Sequence, residues 1–218
     1  MLANNLANSS THGFKMDREY YTLYAPEEAR DGVMLPEIDR EWTNFRQGAF
    51  ENTGNSLDLA LDGKGFFVVS GPAGPLYTRG GALHVAKDGT VLSKDEYPIQ
   101  LSDGRPLRID PAQRLTITPE GGVFQNNQPL GALRLVDAVN GTALVKQGAN
   151  CFRASDPGKP PVAATPVVRQ GTLESSNVST AESAVRMIGI MRQFEMLQRG
   201  ISIGSEMNRK AAEEVARL

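Results

Sequence analysis

Residues 179–218 read STAESAVRMIGIMRQFEMLQRGISIGSEMNRKAAEEVARL, and this stretch decides the fold. At alternating steps of three and four, Met187, Ile190, Phe194, Leu197, Ile201, Gly204, Asn208, Ala211, Val215 and Leu218 fall on one line. All but Gly204 and Asn208 are apolar. That spacing predicts a helix over 179–218 with a narrow apolar stripe that packs on another helix. Ser179 and Glu182 carry the S-x-x-E spacing of a capping box, which sets the helix start. Its length would be about 60 Å at 1.5 Å per residue. Asn208 on the stripe would select register at some cost in stability. Gly189, Gly200 and Gly204 each weaken the helix by about 1 kcal/mol relative to Ala. The stripe is too long and narrow to suit a sheet face, and the chain shows no second helix of matching length. Its partners are therefore expected largely on other subunits.

Upstream, residues 154–178 form a return linker with Pro157, Pro160, Pro161 and Pro166. Residues 56–153 read differently. Short apolar runs such as Leu57–Leu61, Gly65–Val69, Leu83–Ala86, Val91–Ser93, Leu107–Ile109, Leu115–Thr118, Val123–Gln125, Leu130–Val136 and Ala143–Lys146 alternate with turn chemistry. The turns include Asp62-Gly63, Asp88-Gly89, Asn126-Asn127 and Asn140-Gly141. This rhythm predicts an antiparallel β-sandwich or barrel rather than alternating strands and helices. Residues 15–55 are polar, acidic and dotted with Tyr and Trp. They read as an extended connecting segment with a strand around Trp42 to Phe50. Residues 1–14 read as the last turns of a helix, carrying Leu2 and Leu6 and broken at Asn8-Ser9-Ser10-Thr11, with Gly13 placed to take a left-handed residue past the helix end. The expected fold is mainly β with a long C-terminal α-helix, the β domain being flanked by helical and extended ends.

The chain has 218 residues, 40% hydrophobic and 22% charged, with a formal net charge of −2. That is globular, and no segment is basic enough to track nucleic-acid phosphates. No run approaches the roughly 18 apolar residues of a membrane span, so membrane insertion is not expected. No leader with a charged and then an apolar region is visible at the N-terminus. One cysteine, Cys151, excludes an intrachain disulfide; with only His12 and His84 beside it, the usual zinc sites are excluded too.

Catalytic motifs are weak. Gly200-Ile201-Ser202-Ile203-Gly204 spells a nucleophile-elbow pattern, but it lies mid-helix and no His follows position 84. Gly63-Lys64-Gly65 is too short for a phosphate loop and reads as a tight turn. Asp58, Asp62, Asp88 and Asp103 are scattered over turns rather than set in a calcium loop. Cys151 beside Phe152 reads as a small buried hydrophobe. His84 belongs on a polar strand face and His12 in a loop. No nucleophile, base or metal set can be assembled, so neither an enzyme nor a cofactor nor a small-molecule substrate is expected.

Several longer motifs share a resemblance. Leu2-Ala3-Asn4-Asn5-Leu6-Ala7-Asn8 with Gly13-Phe14-Lys15 resembles the A-N-N-L-A-N…T-G-F segment of bacterial flagellar rod and hook proteins. The run from Gly48 to Leu61 resembles their G-x-L-x-x-T-G-N-P-L-D-L-A-L block, with Ser56 in place of the Pro. Gly63–Val69 resembles G-x-G-F-F-V-V, Tyr77-Thr78-Arg79-Gly80 resembles Y-T-R-x-G, and Gln170–Val178 resembles Q-G-x-L-E-x-S-N-V. Within that family Arg192-Gln193-Phe194-Glu195-Met196 is similar to the proximal rod branch; the distal branch carries R-A-Y-E there, and hook proteins are longer.

The resemblance implies a structural subunit of the basal-body rod that crosses the periplasm, exported without a cleaved leader through the flagellar export apparatus. It implies copies of the same chain and other rod proteins as partners, terminal helices bundled with Leu2, Leu6 and the 187–218 stripe at the interface, and torque carried through subunit contacts. The family pattern also begins with a longer amphipathic helix, so most of that helix is expected to be missing here. Within the family the alternative is the distal rod protein; a different class of reading is an extracellular β-domain binding module with a coiled-coil oligomerisation tail.

Overall fold

A computed structural model describes residues 1–24, 35–138, 144–148, 150–156 and 158–215; the side chains of Tyr24, residues 35–40, Ala211 and residues 213–215 lie outside that description. The chain divides into two compact units: residues 3–178 with Met1, and residues 179–218 with Leu2.

In the first unit, β5 (Phe66–Gly71) and β6 (Gly74–Thr78) form a hairpin at the middle of a six-stranded antiparallel sheet. β14 (Cys151–Ala154) and β13 (Leu144–Gln147) extend it past β6, while β12 (Leu135–Asp137) and β15 (Val162–Ala163) extend it past β5. Successive strand residues point to opposite faces, and β5 is buried on both. Phe67 and Val69 enter the larger core with Leu59, Leu61, Val91, Ile99, Leu107 and Val123. Phe66 and Val68 enter a smaller one with Tyr77, Val136, Leu144 and Phe152. There the rings of Phe45, Phe66 and Phe152 meet edge-on, with centroids 5.1 to 5.9 Å apart.

A three-stranded sheet joins β9 (Leu115–Ile117), β10 (Gly122–Gln125) and β11 (Gln128–Ala132). Asn126 and Asn127, both at positive φ, turn the chain between β10 and β11 as a two-residue hairpin loop requires. β7 (Leu83–Val85) pairs with β8 (Val91–Ser93). The return segment supplies strands: β16 (Val167–Gln170) pairs with β4 (Leu59–Asp62), and β17 (Thr172–Glu174) with β3 (Phe50–Asn52). The fold is mainly β with sandwich-like sheets, which among the described residues do not close into a barrel.

Several expectations need correction. Trp42 lies one residue before the end of a strand instead of starting one: β1 (Asp17–Tyr24) and β2 (Leu35–Thr43) pair as an antiparallel arm, bulged at Tyr20/Tyr21. Pro36 is tolerated because this two-stranded sheet has only edge strands. Leu130–Val136 is two strands broken at Leu133 and Arg134, while Leu107–Ile109 makes only an isolated bridge, Thr90 with Arg108. The N-terminal helix α1 (Leu2–Ala7) ends at Asn8 without a left-handed cap. Gly13 has φ +74°, but the reason is contact: a Cβ there would lie 2.4 Å from the Arg79 carbonyl carbon. Asn140-Gly141, expected as a turn, lies outside the described residues.

The second unit is α2 (Thr180–Val215). The Ser179 hydroxyl accepts from the Glu182 amide at 3.3 Å, so Ser179 is the cap its spacing indicates. No described helix is long and apolar enough to cross a membrane.

Candidate functional site

The helical stripe lies bare along α2. Ile190, Phe194, Leu197 and Ile201 are 53 to 74% exposed, Met187 is half-buried and Asn208 is exposed. The side chains of Ala211 and Val215, and all of Leu218, fall outside the described residues. Leu2 and Leu6 are half-buried on α1. The apolar surface also extends beyond the single line, since Val185, Ile188, Met191, Met196, Ile203 and Met207 are exposed as well. Within residues 187–208, at 100° per residue, the charged residues Arg192, Glu195, Arg199 and Glu206 share a sector about 60° wide; Glu182 and Arg186 before them and Arg209 after them widen the charged arc toward the helix ends. A heptad template tests one line at a time and so missed the breadth of the apolar surface.

Sequence reasoning missed a second feature, a buried ionic junction in the β unit. Lys15, Arg79 and Glu174 are all buried there. The Lys15 ammonium donates to Glu174 Oε1, which also accepts the Gly48 amide at 2.9 Å. Arg79 Nη1 donates to Glu174 Oε2 at 3.2 Å and to the Leu61 carbonyl at 3.0 Å. Lys15 also donates to the Arg46 carbonyl at 2.9 Å, and the Gly13 amide to the Glu174 carbonyl at 2.7 Å. Three residues on, the Asn177 side chain accepts from the Met16 amide at 2.8 Å and donates to the carbonyls of Asn44 and Arg46 at 2.7 and 2.9 Å.

One carboxylate thus faces two cations. Burial pushes the Lys15 ammonium below its ordinary range, with Glu174 opposing the shift. Burial lowers Arg79 likewise, opposed by Glu174 and then Asp137. The residues sit in the motifs T-H-G-F-K, Y-T-R-G and L-E-S-S-N-V, and the signal that was available was a charged residue inside an otherwise apolar or small-residue motif.

The lone thiol has no such setting. Cys151 is buried and donates to Asp95 Oδ2 at 3.4 Å. Nearby His12, Thr78, Lys94, Asp95 and Asn150 line a shallow recess. There Asn150 Nδ2 donates to the His12 carbonyl at 2.9 Å and the Thr78 hydroxyl to the Asn150 carbonyl at 2.8 Å. His84 pairs with Glu96 at 3.2 Å on the surface. Asp58 accepts from Thr53 and Asn55, Asp88 from Thr90, and Asp103 pairs with Arg105, all within a few residues, while Asp62 holds Arg169 across the β16–β4 pair.

A β unit sewn to its own ends, followed by a bare apolar helix, is the build of a subunit made for assembly. Residues 60–125 match the family described as flagellar hook protein FlgE/F/G D1 domain, and residues 169–214 the flagellar basal body rod FlgEFG protein C-terminal family. The chain is 31% identical to the flagellar basal-body rod protein FlgF of Caulobacter vibrioides, over 100% of this chain and 91% of that protein. It is 29% identical to the rod protein FlgG of Buchnera aphidicola subsp. Acyrthosiphon pisum (98% and 92% covered) and 28% identical to FlgG of Bacillus subtilis (95% and 89%). The chain belongs to the flagellar basal-body rod protein family, whose members are structural subunits of the flagellar basal body.

Proposed function

We propose that this chain is a proximal rod subunit whose α2 stripe docks on helices of neighbouring copies and of other rod proteins. The observation that carries this reading is the exposure of Phe194 and Ile201, 60 and 74%, on a helix that gains nothing from leaving them in water. Burying each such side chain is worth about 1.5–3 kcal/mol. The proximal assignment rests on the Arg192–Met196 run. Functionally, residues 1–14 and 179–218 serve as the assembly ends, 15–55 as connector, 56–153 as the outward β domain and 154–178 as the return. Torque passes through subunit contacts, with no catalytic step, cofactor, nucleic acid or small-molecule substrate. The chain reaches the periplasm through the flagellar export apparatus.

The test is Phe194→Glu combined with Ile201→Glu in cells. A charge at a packed apolar position is poorly tolerated. The double variant should leave the β unit folded, by circular dichroism, and be absent from purified basal bodies. Its normal incorporation would remove the stripe as the assembly surface. A strain lacking the gene that stays motile with ordinary basal bodies would remove the rod role itself.

A further inference from the structure

We propose that Glu174 and Asn177 latch three sequence-remote segments, residues 13–16, 44–48 and 171–177, into one cooperative unit that opens while the six-stranded sheet stays folded. Each latch residue bridges both upstream segments. Glu174 takes the Lys15 ammonium and the Gly48 amide on one oxygen. Asn177 takes the Met16 amide and gives to Asn44 and Arg46. Backbone bonds close the set: Asn44 N to Met16 O at 2.8 Å, Gly13 N to Glu174 O at 2.7 Å and Ser175 N to Ala49 O at 2.8 Å.

The latch is held largely by polar bonds, with Phe14 and Leu173 as its own buried apolar side chains. None of the three segments contributes to the larger apolar core, and Phe45 alone packs on the rim of the smaller one. Phe14 is fully buried, but its ring lies under the Lys146 ammonium, 3.9 Å from the centroid. Regions with few core contacts open at lower free energy than core strands. The latch also stands at the root of both chain ends, since α1 closes at Ala7 and α2 begins at Thr180. Resting on the proposed assembly role, its opening would free those ends to reorient during docking without unfolding the β unit.

Native-state hydrogen exchange on the full-length purified protein tests this without reference to assembly. In the wild type, the amides of Gly13, Met16, Asn44 and Gly48 should share one opening, faster than that of Val68. Asn177→Ala removes no bond to Gly13 or Gly48, yet it should accelerate exchange at both by at least roughly tenfold, together with Met16. Glu174→Gln should do the same at Met16, which Glu174 does not touch. Acceleration confined to each variant's own partners would overturn the latch, as would equal acceleration at Val68 or no change in either variant. Should Glu174→Gln fail to fold, the wild-type pattern and Asn177→Ala decide alone.

Discussion

The Lys15 ammonium and the Glu174 carboxylate meet across 159 positions of chain, with neither side chain exposed to solvent. Among the described residues Glu174 is the only acid that touches both cations, so its removal leaves Lys15 and Arg79 buried without their shared anion. Breaking a buried pair from one side typically costs about 3–5 kcal/mol. Glu174→Ala should therefore lower the thermal midpoint of the β unit by roughly 10 °C. Lys15→Met should cost less, because Glu174 keeps Arg79 and the Gly48 amide. Equal midpoints for wild type and Glu174→Ala, measured by calorimetry, would show that the junction adds nothing to stability.

Lys15 also sets a pH dependence. Its folded pKa lies below the unfolded value of 10.5. Between the two, the unfolded chain binds more protons than the folded one, so stability contributed at this position rises with pH in that window. Urea midpoints compared from about pH 8 to 10.5 should show a more positive slope for wild type than for Lys15→Met. Parallel slopes would contradict the depressed pKa.

Cys151 should be chemically silent. Its burial, then the adjacent Asp95, push the thiol from 9.0 up to about 12. Three units lower the thiolate fraction at neutral pH about a thousandfold. Iodoacetamide at about pH 8 should label Cys151 only after denaturation, as read by mass spectrometry. Rapid labelling of the native protein would contradict the burial.

Two glycines should respond in opposite directions. A Cβ on Gly81 would lie 1.7 Å from the Leu59 carbonyl oxygen, where Leu59 N also bonds Gly81 O at 3.0 Å. Gly81→Ala must displace a core strand and should destabilise the β unit by more than about 2 kcal/mol. A Cβ on Gly189 meets nothing, so Gly189→Ala should strengthen α2 by about 1 kcal/mol. Thermal melts followed at helical and strand wavelengths separate the two effects.

Much of the architecture is legible locally. The Ser179 cap, the stripe on α2, the Asn126-Asn127 turn and the β5 run each depend on residues a few positions apart, where helical period, strand period and turn chemistry act. The β1–β2 arm was hidden because its strands are polar and lack the apolar alternation that marks a half-buried strand. β14 and β6 were obscured by neighbouring Gly and Pro that read as loop. β16 and β17 sit in a Pro-rich return that local rules treat as a linker, yet they find partners more than a hundred residues upstream.

What the sequence determined by itself was the inventory: a mainly β chain, a long helix with an apolar stripe, and motifs similar to those of rod proteins. Tertiary structure alone decided which charges leave water. The motifs around Lys15, Arg79 and Glu174 set a charge among small and apolar residues but do not say where its counter-charge lies, because burial of a charge is set by the partner that neutralises it. Those partners are brought together only when the return strands β16 and β17 pair back onto β4 and β3.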